Sequence, residues 1–442
     1  KTLNLHISLR EVLPPEHLAR FIVDVIAELD LSAIYDQYGE LGAPPYAPEV
    51  MLGLLFYGYA TGVFSSRKIE KATYEVIPFR FISGDMHPDH ASIAQFRQQF
   101  LPELNDLFVQ ILLIAHTMGH LELGNVSLDG SKIHADASKS KAISYKRLLE
   151  LEVYLQSEVS ELFALAETSD GGKLPDELNM GDEIARRKKQ LEGLAKAKKM
   201  LEARAQARYE VEKAEYEAKM REREDKEAKT GKKVRGRLPK PPQSNLPRHK
   251  DQYNFTDPES RIMKNSNNKG FDQHYNVQVV VEHESRLVIG NWLCNAPNDL
   301  QAALPTIDTV PSKLGKPKTV NLDTGYFSSD NIDGLQQRGI DPYIATGRTP
   351  HHKSWRAYFA DTPAPPPGNA SAKDKMAYKL RTKVGDALYR LRKSTVEPVI
   401  GIIKEVLGFR QFSLRGLLAV AGEWSLVCLS YNLKRVHTLQ YS

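Results

Sequence analysis

The spacing of apolar residues changes character several times along this chain. From residue 1 to about 120 it is helical. The run Val50-Met51-Leu52-Gly53-Leu54-Leu55-Phe56-Tyr57, preceded by Pro44-Pro45 and Pro48, predicts a buried helix opened by proline. Ser65-Ser66 offers a cap to a next helix carrying Arg67 and Lys68. His87-Pro88-Asp89-His90 reads as a turn into a third helix carrying Arg97. Such helices suit either a DNA groove or a small bundle with a solvated basic face.

The period then shortens. Asn125-Val126-Ser127-Leu128-Asp129-Gly130 predicts a short strand ending in an acid and a glycine. An aspartate in a strand runs against local propensity, which marks Asp129 either as functional or as a turn-capping Asp-Gly. Between 146 and about 228, Leu148, Leu151, Leu155, Val159 and Leu162, then Leu191, Leu194, Ala197, Leu201 and Ala205, recur at spacings of three and four. They predict two long helices, an antiparallel hairpin or partial coiled coil, with a break at Gly171-Gly172. The stretch from Glu210 to Lys229 carries little apolar surface and is expected to be solvated or disordered.

From residue 254 strands dominate. Tyr275 to Val281 alternates polar and apolar residues and is expected to pair with Leu287 to Trp292. Asn298-Asp299 reads as a helix cap. Thr319-Val320-Asn321-Leu322-Asp323 is a second strand ending in an acid before a glycine, and a helix and the strand Pro342 to Ala345 follow. Tyr389 to Lys404, YRLRKSTVEPVIGIIK, reads as a helix with an apolar stripe of Val396, Val399, Ile400 and Ile403. On it, Glu397 and Lys404 share a face. By spacing alone Glu397 suits a surface ion pair as well as a metal ligand.

Composition adds modest constraints. The 442 residues are enough for two or three domains, and a charge of +5 permits a nucleic-acid partner without demanding one. Two cysteines cannot make a disulfide framework or a zinc cluster. No apolar run is long enough for a membrane span and the start lacks a signal-peptide pattern, so a cytoplasmic protein is expected. Basic charge concentrates in 231–250, which holds seven Lys or Arg and no acid. There Arg235-Gly236-Arg237 suits either a minor-groove hook or a flexible basic linker.

Asp129, Asp323 and Glu397 stand out as a set, because two neighbouring strand ends and an adjacent helix can converge three carboxylates. Such a cluster needs neutralising, and magnesium or manganese with oxygen ligands does so. Asp136, Asp257, Asp272, Asp299 and Asp330 compete by spacing.

At these acids the chain resembles bacterial insertion-sequence transposases of the DDE type, with an InsH-type N-terminal domain. The first acid lies in VSLDGSKIHADAS, the second in VNLDTGYFS and the third in YRLRKSTVEPVIGIIK. PPYAPEVMLGLLFYGYATGVFSSRKIEKA, HPDHASIAQFR, DPESRIM, YNVQVVV, APND, FRQFSLRGL and EWSLVCLSYNL carry the likeness over nearly the whole chain, apart from the insertion and the proline-rich loop near 361–368.

The resemblance implies an α/β fold: a ribonuclease-H-like mixed sheet with flanking helices, joined to an all-α N-terminal domain and a long helical insertion. The boundaries expected are 1–120 for the DNA-binding domain, 121–145 for the first part of the core, 146–250 for the insertion with its basic linker, and 251–442 for the rest. It implies that Asp129, Asp323 and Glu397 hold two Mg²⁺ or Mn²⁺ ions. Tyr389, Arg392 and Lys404 would meet phosphates near the element's end. Four residues separate Arg392 from Glu397 where some branches have three, and Lys393 occupies the stricter spacing. Arg67, Lys68, Arg97, Arg235 and Arg237 would also contact DNA. The activity implied is cleavage at terminal inverted repeats and joining of the 3′-hydroxyl to target DNA, by a homodimer. The alternatives are a transposase-derived DNA-binding protein that no longer cuts, and a nuclease of the same fold without strand transfer.

Overall fold

The computed structural model describes residues 8–38, 46–168, 179–231, 233–234, 236–242, 244–265, 270–347 and 364–441. Pro44-Pro45, Gly171-Gly172 and Arg235 lie outside these. The chain divides into two compact units, one of Lys1–Asp136 with Glu259–Ser442, the other of Ala137–Pro258.

The first unit is mixed α/β. Its sheet contains β1 (Asn125–His134), β4 (Arg261–Lys264), β5 (Phe271–Glu282), β6 (Val288–Cys294), β7 (Thr319–Leu322) and β8 (Asp341–Ile344). The order is β4-β5-β1-β7-β8, with β6 also paired to β5. β1 runs antiparallel to β5 and parallel to β7, which runs parallel to β8. β1 is longer than its alternation predicts, and continues through Asp129-Gly130 to His134 opposite β5. Asp129 therefore sits in mid-strand, because pairing with β5 outweighs its local propensity.

Helices cover the sheet. The helix Leu417–Gln440 is buried along much of its length, with Trp424 Nε1 donating to the Gln278 carbonyl at 3.2 Å. Asn432 both accepts from the Val288 amide and donates to the Val288 carbonyl, at 2.9 and 2.7 Å. The expected proline-opened helix runs Pro48–Ala60, and Met51 to Ala60 are all buried. Ser65 precedes the helix Ser66–Glu75, but its hydroxyl makes no capping bond. Asp89 caps His90–Gln99 through the amides of Ala91 and Ser92. Among the described residues no helix is long and apolar enough to cross a membrane.

The second unit holds the helices Tyr145–Thr168 and Met180–Thr230 and the antiparallel pair β2 (Ala142–Ser144) and β3 (Gln252–Asn254). Leu148, Leu155, Leu194, Ala197 and Leu201 pack with Ile143 and Tyr253 in one core. Ion pairs Glu152–Lys198 and Glu158–Arg187, both 2.8 Å, flank that seam. Beyond Ala205 the second helix continues to Thr230 with no buried residue. That stretch, expected to be solvated or disordered, is solvated and helical. Its i,i+4 pairs Glu215–Lys219 and Glu222–Lys226 supply local support where burial does not.

Candidate active site

The register of two parallel strands sets up the site. Ser127 on β1 pairs with Asn321 on β7, so Asp129 and Asp323, each two residues further on, emerge side by side. Asp129 keeps its strand conformation, and Oδ1 accepts from the Gly130 amide at 2.9 Å. Asp323 ends β7 and caps the following short 3-10 turn, accepting from the Gly325 amide at 2.7 Å.

The third acid comes from the helix Lys383–Gly401, capped by the Thr382 hydroxyl on the Gly385 amide. Thr395, Val396 and Val399 are its buried face, leaving Glu397 with 47% of its side chain exposed. Pro398 lies within this helix, which widens into a π-turn over Ile402–Val406. The π-turn aims Lys404 at β1, where its Nζ donates to Ser131 Oγ at 3.0 Å.

Arg392 closes the arrangement. Its Nη2 lies 2.6 Å from Asp129 Oδ2 and its Nη1 3.0 Å from Glu397 Oε1. The Arg392 side chain is 12% exposed and the Asp129 side chain 17%. Burial pushes the Asp129 carboxyl up to about 6; Arg392 opposes that shift, while Asp323 and Glu397 add to it. Asp129 therefore feels the charge of both other acids. Burial raises the Tyr389 hydroxyl, with Arg392 opposing and the three acids reinforcing. Burial lowers the Lys404 ammonium, against the pull of Glu405.

The donor set consists of carboxylate oxygens, which suits a hard divalent ion such as magnesium or manganese. Among the described residues, however, no three His, Cys, Asp or Glu side chains are gathered closely enough to hold a metal. Arg392 instead stands as the cation between Asp129 and Glu397.

A fourth acid adjoins this set. Asp299 does not cap a helix, as its Asn298-Asp299 context suggests. Its Oδ1 accepts from Asn276 Nδ2 at 2.7 Å and Gln278 Nε2 at 2.9 Å. Tyr326 donates to Gln278 Oε1, and its hydroxyl is raised by burial, with Asp299, Asp129 and Asp323 contributing. Asn276 and Gln278 are the polar members of the alternating run 275–281, a pattern that suggests solvent, yet both are buried. Asp136 is spent elsewhere, 2.8 Å from Arg415.

Two family models match the chain: a Transposase domain (DUF772) over residues 7–99 and a Transposase DDE domain over residues 242–433. The chain belongs to the insertion-sequence DDE transposases. The transposase is also 39% identical over 61 residues to a putative transposase for insertion sequence element IS402 from Burkholderia cepacia. That match covers 12% of this chain and 29% of the relative's length. No solved structure matches the transposase.

The residues expected to meet DNA divide into groups. Tyr389 and Arg392 adjoin the acids and Lys404 reaches Ser131, two residues beyond Asp129, whereas Lys393, at the stricter spacing, is exposed. Arg67 and Lys68 are exposed on Ser66–Glu75. Arg97 corrects its expectation: it is 7% exposed, with Nη1 donating to the Tyr59 hydroxyl at 2.9 Å and the Phe64 carbonyl at 3.3 Å. Tyr59 in turn donates to buried Glu423 at 3.0 Å, so Arg97 offsets the charge of an interior carboxylate. In the second unit Arg237 is exposed, and Arg235 falls outside the described residues.

Proposed function

We propose that this transposase cuts phosphodiester bonds at the terminal inverted repeats of its element and joins the freed 3′-hydroxyl to target DNA. The observation that carries the reading is the Ser127–Asn321 register, which sets Asp129 beside Asp323 within the electrostatic reach of Glu397. The strand order β6-β5-β1-β7-β8, with the first three strands antiparallel and the last two parallel to β1, supports a ribonuclease-H-like core.

Asp129, Asp323 and Glu397 would hold divalent magnesium or manganese. Such an ion, when bound, supplies charge to the phosphoryl group and acidifies the attacking water or 3′-hydroxyl. Arg392, which now balances two of the acids, would pass to a DNA phosphate when that balance is provided otherwise. Its planar fork suits phosphate as well as carboxylate. Lys404, oriented by Ser131, would hold a second phosphate, with Tyr389 beside them. Arg67 and Lys68 would grip the terminal repeats, and Arg235 and Arg237 the backbone, through salt-dependent contacts. Bringing two ends together calls for a homodimer, and the helical insertion would assist its assembly or clamp DNA. A truncation lacking 150–228 that still dimerises and pairs ends excludes that role.

The Arg392 bridge also favours a second reading, a protein that binds DNA without cutting, since it ties the acids to a guanidinium. The test is Mg²⁺- or Mn²⁺-dependent cleavage of DNA carrying the terminal repeats, by wild type and Asp323→Ala, with a supercoiled target present. Metal-dependent cuts lost in the variant, with DNA binding retained, support the proposal. Joined product separates a transposase from a nuclease. Binding without cutting in both proteins favours the second reading, and equal cutting by both means that Asp323 is the wrong acid.

A further inference from the structure

Beneath the acids lies a buried polar cluster with an unusual relation to them. Ser127, Asn321 and Thr395 are each two residues before Asp129, Asp323 and Glu397, and they are 0%, 0% and 2% exposed. All three meet at or next to one histidine in the β5–β6 turn. Ser127 Oγ is 2.9 Å from His283 Nε2, Asn321 Nδ2 is 3.3 Å from the same nitrogen, and Thr395 Oγ1 is 3.1 Å from Ser127 Oγ.

The donor directions follow from chemistry. Asn321 Nδ2 also donates to the Leu388 carbonyl at 2.8 Å, which fixes which end of the amide is nitrogen. An amide nitrogen only donates, so Nε2 of His283 accepts. The Ser127 hydroxyl then donates to Nε2, sharing its lone pair with Asn321, and the Thr395 hydroxyl shares its proton between Ser127 Oγ and the Leu391 carbonyl at 2.8 Å. Burial lowers the His283 imidazole to about 4, so the ring is neutral at physiological pH, as an accepting nitrogen requires.

We propose that His283 is a positioning residue for the three acids. One ring nitrogen ties the strand of Asp129 to that of Asp323 and, through Ser127, to the helix of Glu397. This rests on the reading of those acids as the metal-binding set. Backbone pairing already holds β1 to β7, but the described hydrogen bonds from helix Lys383–Gly401 to those strands are side-chain ones. Thr395 to Ser127 and Asn321 to the Leu388 carbonyl are two of them. Sliding the helix by a fraction of an ångström moves Glu397 relative to the strand tips. A site of this kind tolerates displacements of only about 0.5 Å.

The test uses full-length His283→Leu, His283→Gln, Ser127→Ala and Asp323→Asn. Three quantities are measured: melting temperature, Mn²⁺ affinity by calorimetry on the protein without DNA, and cleavage kcat and KM on terminal-repeat DNA. Folded His283→Leu is expected to bind Mn²⁺ at least fivefold more weakly and to lose at least tenfold in kcat, with KM for DNA unchanged. His283→Gln, whose amide oxygen accepts in place of Nε2, is expected to recover most of both. If His283→Leu does not fold, Ser127→Ala is expected to show the same changes at smaller size, threefold or more. Wild-type Mn²⁺ affinity and kcat in the folded variants, beside an inactive Asp323→Asn, overturn the positioning role alone. Wild-type behaviour of Asp323→Asn overturns the reading of the acids, and the positioning role with it.

Discussion

Arg392 reaches across from its helix to hold Asp129 at 2.6 Å while its other terminal nitrogen holds Glu397. One guanidinium thus balances two acids of a set of three, on a helix whose other ties to the strands include the neutral hydrogen bonds of Thr395 and the Leu388 carbonyl. Removing it leaves charges of one sign facing each other in a partly buried site. Arg392→Ala is expected to lose about 3 kcal/mol of stability at pH 7 in a metal-free buffer. Adding Mg²⁺ should restore more of the melting temperature in this variant than in wild type. An equal response of both proteins to Mg²⁺ sinks the idea that Arg392 stands in for a cation.

Arg97 and Arg67 separate interior from surface roles. Arg97→Ala strips a buried carboxylate, Glu423, of its neighbouring charge and is expected to destabilise by roughly 3 kcal/mol, with DNA affinity of the folded fraction unchanged. Arg67→Ala and Lys68→Ala should stay within about 0.5 kcal/mol of wild type in stability. Each should reduce the slope of log affinity against log salt by about 1. Urea denaturation and salt-titrated binding measure these effects. A fall in affinity per folded molecule for Arg97→Ala would return that residue to the DNA-binding set.

Gly130 has no room for a side chain. A Cβ there would lie 2.2 Å from Gln278 Nε2 and 2.8 Å from its Cδ. Gln278 cannot swing away, because it is fully buried and bonded to Asn276, Asp299 and Tyr326. Gly130→Ala is therefore expected to cost about 1–3 kcal/mol and to impair cleavage by displacing the adjacent Asp129. Wild-type stability and activity in this variant would show that the amide network yields.

The pH dependence of stability has a definite sign. Burial holds His274 and His283 at about 4, against an ordinary value of 6.5. Between these values the unfolded chain binds protons that the native imidazoles refuse, so stability falls as pH drops from 6.5 towards 4. Asp129 works the other way: at about 6 against an ordinary 3.8, it gains a native-state proton first and stabilises the fold as pH falls. Two histidines outweigh one aspartate, so the melting temperature should fall from pH 6.5 to 4.5. His274→Gln should flatten that fall and Asp129→Asn should steepen it. Superimposable profiles for the three proteins would remove these groups from the explanation.

Element types were legible in the sequence because they depend on local spacing. The proline-opened helix at Pro48, the paired strands β5 and β6 and the insertion's leucine spacing all read directly from residues a few positions apart. The acids were nameable because Asp129 sits where propensity disfavours it, because Asp323 follows a second strand just before a glycine, and because the surrounding segments resemble a family. What the sequence could not express is what depends on partners hundreds of positions away. That Arg392 and not Lys393 faces the acids follows from which side of the helix is buried. That Arg97 is interior follows from Tyr59 and Glu423, and that Asp299 joins the site follows from Asn276 and Gln278. His283 looks like any polar turn residue until the Ser127–Asn321 register brings two strands and a helix to its ring. Periodicity reports what a residue's own element requires; only tertiary packing decides which charges must neutralise one another.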